Sequence, residues 1–139
     1  MKSVAQLLTL ALAVLFLAAC GGDPHEEVVE EALDIMSDVE GILGEVSDEK
    51  SVEALGPKFE ALGERMNELV KQFSELDEPS EEVQKALEEK YKPQMEEIQE
   101  KVTKQMERIQ KEGGFGVLMA LMKEMEKMEP SESFPEWME

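Results

Sequence analysis

Catalysis or metal binding in this chain would have to begin from very few residues. It holds one histidine, His25, and one cysteine, Cys20. A serine or cysteine nucleophile needs a base that is itself oriented by a third group. One histidine in the first turn of a helix, beside the acid Glu26, provides no such triad. A di-iron centre in a helical bundle takes Glu-x-x-His pairs from facing helices. A zinc site takes a cluster of Cys or His, and no twelve-residue calcium loop is present. Gly113-Gly114-Phe115-Gly116 lacks the Lys-Ser/Thr and the preceding strand of a phosphate-binding loop. Acids are so numerous that no carboxylate pair stands out. Runs such as Glu26-Glu27 and Glu30-Glu31 read as solvated helix faces. The expectation is a non-enzyme without a cofactor.

One segment retains possible chemistry. Met119, Met122, Met125 and Met128 carry thioethers, which suit Cu(I). Each three-residue step turns a helix by about 300°, so the first and last sulfurs point to opposite sides and only neighbouring pairs could share an ion. Phe115, Val117, Leu118, Met119, Ala120, Leu121 and Met122 also form a dense apolar run, too short to cross a bilayer. One reading is that it closes the open end of a bundle core, with methionine filling gaps. A second is that Leu118, Leu121, Met122 and Met125 grip a protein partner, since methionine surfaces adapt to varied ligands. A third places the run in a membrane interface.

The remaining elements are those that would carry this segment. Few aromatics and no period of two exclude a sheet, and Leu, Met, Glu, Lys and Gln favour helix. Apolar residues recur at Val28, Val29, Ala32, Ile35, Met36, Val39, Ile42, Leu43 and Val46, a wide stripe suited to a bundle core. Asp23-Pro24-His25-Glu26 starts this helix and Gly44 ends it. A second helix over 48–76, capped from Ser47-Asp48, spaces Val52, Leu55, Phe59, Leu62, Met66, Leu69, Phe73 and Leu76 by threes and fours. A third, over 79–111, carries Leu87, Tyr91, Met95, Ile98, Val102, Met106 and Ile109. Pro57 and Pro93 fall inside these two patterns without breaking phase, which predicts kinked but continuous helices. A short fourth helix covers 117–128, and 129–139, with two prolines and four acids, reads as a mobile acidic tail. The fold class is all-α, a small up-down-up bundle over 23–128.

The N-terminus carries a separate signal. Lys2 precedes a run from Val4 to Leu17 that is apolar except for Gln6 and Thr9, which has the length of a signal-peptide core. It ends in Leu17-Ala18-Ala19-Cys20-Gly21. This resembles the lipobox of bacterial lipoproteins. The resemblance covers only these first residues, and no family suggests itself for 22–139. It implies removal of 1–19, acylation of Cys20 as the new first residue, and a tether of only 20–22. Gly21 rather than Asp after the cysteine implies, in proteobacteria-like envelopes, transport to the outer membrane, facing the periplasm.

Charge limits the partners. Acids outnumber bases 33 to 14, and one of the bases is Lys2. So acidic a chain is repelled by nucleic acid and by anionic headgroups, and a durable lipid anchor would be needed to hold it at a membrane. From Asp23 to Glu49 there are eleven acids and no Lys or Arg, whereas 79–111 holds seven bases. The first helix is therefore expected beside the third, its acids facing those cations. Five Glu-to-Lys pairs spaced i,i+4, from Glu81/Lys85 to Glu107/Lys111, should support the third helix itself. The expected function is a lipid-anchored interaction or structural module with an unidentified protein partner. A chaperone or binding module using the Met-rich end is the alternative, as is a homo-oligomer built on the regular seam of the second helix.

Overall fold

The computed structural model describes residues 24–129. The expected signal segment, Cys20, the expected cap Asp23 and all of the acidic tail but Glu129 lie outside the described residues. Within them the protein is a small all-α bundle. Helix α1 spans Pro24–Glu45, α2 Glu49–Ser74, α3 Glu81–Glu112 and α4 Gly114–Met125, and a 3₁₀ turn follows at Glu126–Met128.

The caps lie where hydrogen-bonding side chains precede apolar stripes. Asp48 accepts from the Ser51 backbone N–H at 2.8 Å, and the Ser51 hydroxyl accepts from the Asp48 N–H at 3.0 Å, a reciprocal box that satisfies two orphan donors. Ser80 caps α3 through Val83 at 3.3 Å. Pro57 and Pro93 sit inside unbroken helices, both on exposed positions. There the carbonyl left without its N–H partner can be solvated, so register survives.

Helix α1 packs against both α2 and α3, and α4 packs against the same two, whereas α2 and α3 hardly approach each other directly. In cross-section α1 and α4 therefore sit on opposite sides of the α2–α3 pair. Direction follows from the cross-links. Glu26 meets Lys90 and Tyr91, and Leu43 meets Arg108, so α1 and α3 run the same way. Glu45 meets Lys58 and Glu31 meets Arg65, so α2 runs against them. The core is one cluster, centred on Leu33, Leu43, Phe59, Phe73, Leu87, Ile109 and Leu121.

The placement of α1 beside α3 agrees with the charge asymmetry, but the pairing differs from expectation. Among the described residues only Lys90 of α3 forms an ion pair with an α1 acid; Arg65 of α2 takes both Glu31 and Asp38, and Lys58 of α2 takes Glu45 at 2.6 Å. Lys101 and Lys104 turn instead to Glu97 and Glu100 on their own helix, at 2.7 and 2.6 Å. The reason is proximity: an i,i+4 partner is already within reach, so neither Lys101 nor Lys104 has to cross to another helix.

Candidate interaction surface

Two glycines make the corner that aims α4. Gly113 ends α3, its N–H donating to the Ile109 carbonyl at 2.8 Å. Gly114 follows at φ 70°, a left-handed conformation that suits glycine, and α4 begins there at once. The helix thus starts three residues earlier than its apolar pattern suggests, and its first turn carries Phe115.

Helix α4 has an inner and an outer stripe. Val117, Leu121, Met125 and Met128 point inward, at most 5% exposed. Phe115 and Met119 point outward, 78% and 50% exposed, while Leu118 and Met122 are half-buried along the edge. The four residues proposed to grip a partner are therefore divided. Leu121 and Met125 belong to the core, because α4 lies lengthwise in the trough between α2 and α3. Leu118 and Met122 keep an exposed edge, and Phe115 becomes the leading residue of the ridge. The thioethers are divided too: Met119 faces solvent while Met125 and Met128 face the core, so the four do not converge on one point. No group of three or more His, Cys, Asp or Glu among the described residues is placed to hold a metal ion.

Close approach fixes α4 in its trough. An added Cβ on Gly63 would lie 2.5 Å from the Lys127 carbonyl oxygen, and one on Gly56 would lie 2.9 Å from Glu124 Oε2. Lys127 joins Glu124 at 2.6 Å and Glu60 of α2 at 3.3 Å, and these carboxylates, Glu124 first, raise its pKa. The buried Oε2 of Glu124 is met by this ion pair rather than by a directed hydrogen bond.

A polar clasp lies at the opposite end. Glu26 is 9% exposed, beside Lys90, and shares the Tyr91 hydroxyl with Glu30 at 3.0 and 2.7 Å. Burial, then the hydrogen bond to Glu30, pushes Tyr91 up to about 12. Lys90 is raised as well, chiefly by Glu26. Both shifts move away from neutrality, so each group holds one protonation state at neutral pH. His25 is half-buried rather than solvated, its Nε2 3.0 Å from the Asp77 carbonyl. None of these side chains is placed as a nucleophile with its base.

No helix among the described residues is long and apolar enough to cross a membrane. Set against known families, curated proteins and solved structures, the chain matches none, so its surface is the guide to its role.

Proposed function

We propose that this protein is a lipid-anchored, non-catalytic interaction module of the bacterial cell envelope, in an outer membrane and facing the periplasm. The observation that carries this reading is Leu17-Ala18-Ala19-Cys20-Gly21, a lipobox pattern that ends three residues before α1 begins at Pro24. The pKa shifts of Lys90 and Tyr91 also favour a structural clasp over acid–base chemistry.

The ridge of Phe115 and Met119 is the surface offered to a partner. Because α3 runs parallel to α1 and α4 starts where α3 ends, the ridge begins at the far end from Pro24. The 22 residues of α1 rise ~33 Å at 1.5 Å each. A bundle standing on its tether holds Phe115 beyond the headgroups, and its negative charge opposes lying flat on them. That geometry favours a protein partner over a membrane interface.

A chaperone role is supported by the same exposed phenylalanine, with Phe115 and Met119 as its gripping residues. Self-association through the regular seam of α2 has less support, because Val52, Leu55, Phe59, Leu62, Leu69 and Phe73 are buried within the chain. The test is the intact mass of the membrane-extracted protein beside a Cys20→Ser variant. A chain starting at Cys20, heavier by acyl groups that the variant lacks, supports the anchor. An unacylated chain overturns it. Aggregation suppression that disappears in Phe115→Ser would assign the chaperone role.

A further inference from the structure

Among the described glycines, Gly41 is the one for which the fold shows no use. Gly56, Gly63 and Gly113 each face an atom that an added Cβ would strike, at 2.9, 2.5 and 2.9 Å. A Cβ on Gly44 would lie 3.6 Å from Gln105 Nε2, an ordinary contact. A Cβ on Gly41 meets nothing within 4 Å. Glycine in a helix interior is unfavourable relative to alanine, because it releases more backbone freedom on unfolding. No contact within the bundle compensates for it at this position.

Gly41 lines a groove. An open cleft of about 400 Å³ runs between α1 and α2, with Ile42 and Leu62 as its apolar floor and Ser37, Gly41 and Ala61 as its small residues. Both floor residues are nearly buried, at 6% and 4% exposed. The groove's cations are already engaged: Lys58 pairs with Glu45, and Arg65 with Asp38 and Glu31.

Three acids on the same faces are not engaged. Glu27, Glu31, Asp34, Asp38, Gly41 and Glu45 follow one another by fours and threes along α1, so they share one face. Lys58, Ala61, Arg65 and Glu68 do the same on α2. Of these, Glu27, Asp34 and Glu68 have no ionic partner among the described residues. At Gly41 the groove is therefore charge-balanced over a nearly buried apolar floor, with unpaired negative charge continuing toward Pro24.

The geometry points to this groove as the docking site for an amphipathic, cationic helix of another protein. A small or apolar side chain of that helix crosses at Gly41, where the missing Cβ lets two backbones approach. Lys or Arg residues farther along it meet Asp34, Glu27 and Glu68. The mode is a helix laid in a groove, read by residues spaced three and four apart. A second copy is a poor match, since it brings the same acidic face and more than twice as many acids as bases. The inference deepens the interaction-module reading and rests on it for the existence of a partner, but not on the lipid anchor.

The test uses the full protein in detergent and a synthetic helical peptide with Leu at i, i+3, i+4 and i+7 and Lys or Arg on both flanks. Gly41→Gln fills the groove without altering charge. It is expected to weaken peptide binding at least tenfold while raising the melting temperature. A peptide with Glu on its flanks should not bind. Wild-type affinity in Gly41→Gln, a lowered melting temperature, equal binding of the Glu peptide or no binding at all would each overturn the groove. Loss of binding in Phe115→Ser but not in Gly41→Gln would move the partner to α4, which sinks this inference and leaves the interaction reading standing. Failure to find acylated Cys20 would sink the anchor alone.

Discussion

Two alanine substitutions at helical glycines should move stability in opposite directions. Gly41 and Gly63 both lie inside helices, and alanine there gains about 1 kcal/mol in intrinsic helix preference. At Gly41 the new methyl meets nothing within 4 Å, so the gain is kept. At Gly63 the Cβ would lie 2.5 Å from the Lys127 carbonyl oxygen and 3.3 Å from Met128 Cα. Both are backbone atoms, which cannot rotate aside. Overpacking of this kind costs about 1–3 kcal/mol. If the 3₁₀ turn lifts to relieve it, Met128, now 0% exposed, loses much of a burial worth about 1.5–3 kcal/mol. Against the helix gain, the net for Gly63→Ala is a loss of up to about 2 kcal/mol. For a domain of this size each kcal/mol moves the melting temperature by about 4–8 °C. Thermal melts followed by circular dichroism should show Gly41→Ala several degrees above wild type and Gly63→Ala several below. Hydrogen exchange in α4 should rise only in the second. Stabilisation by both substitutions would refute the seating of the Glu126–Met128 turn on α2.

Tyr91 is the only tyrosine, so its phenolate absorbance titrates alone, and its midpoint should lie near 12 rather than near 10. The folded state then holds its proton longer than the unfolded one, so stability falls as pH rises through that window and is unaffected by Tyr91 below it. Tyr91→Phe should abolish the absorbance change, and a wild-type midpoint near 10 with helices intact would show the clasp to be open. Arg108 donates to the Val46 and Leu43 carbonyls at 2.9 Å each, supplying the C-terminal end of α1 with a cation that its own last turn lacks. Arg108→Ala should cost about 1–2 kcal/mol in denaturant unfolding, and Arg108→Lys should recover little, because one ammonium cannot span both carbonyls. Pro93→Ala restores a helical N–H on an exposed position of α3 and should stabilise by about 1–3 kcal/mol; a melt unchanged or lowered would mean that the proline sets a bend on which core packing depends.

The bundle was legible because its apolar residues recur with one period. Every α2 position from Val52 to Phe73 in the three-and-four pattern is buried, and Leu76 packs against the cluster from its edge. The same holds in α3 from Leu87 to Ile109, with Met106 at the margin. Leu33 and Val70, outside those stripes, are also buried, because α1 and α2 are each covered from more than one side. Helix α4 was not legible in this way. Nearly all its residues are apolar, so periodicity carries no direction. What orients it is the positive φ of Gly114 and the approach of Lys127 to Gly63, a contact across 64 residues that a local pattern cannot carry. Composition alone therefore does not separate Leu121 and Met125 from Leu118 and Met122, nor Phe115 from the rest of the run. The partner of Arg65 was hidden for a similar reason. Charge counts place acids near cations, but which cation reaches depends on the rotation of each helix.

Helix α1 shows how charge and packing divide the work of holding this bundle together. Its eight acids, with no Lys or Arg, would oppose one another in an isolated helix. Every compensating cation comes from elsewhere in the chain: Lys90 at its first turn, Arg65 in its middle, Lys58 and Arg108 at its last. These contacts span 13 to 65 residues, so α1 acquires them only when α2 and α3 are in place. Local preference therefore contributes little to α1, and tertiary contact contributes most. The same arrangement bears on a tether at the N-terminus. A pull on α1 meets Glu26 with Lys90 and Tyr91, and His25 with the Asp77 carbonyl, within its first turn. These contacts tie the first turn of α1 to α3 and to the α2–α3 connection. The helix nearest Cys20 is thus held at both ends by partners that it does not itself encode.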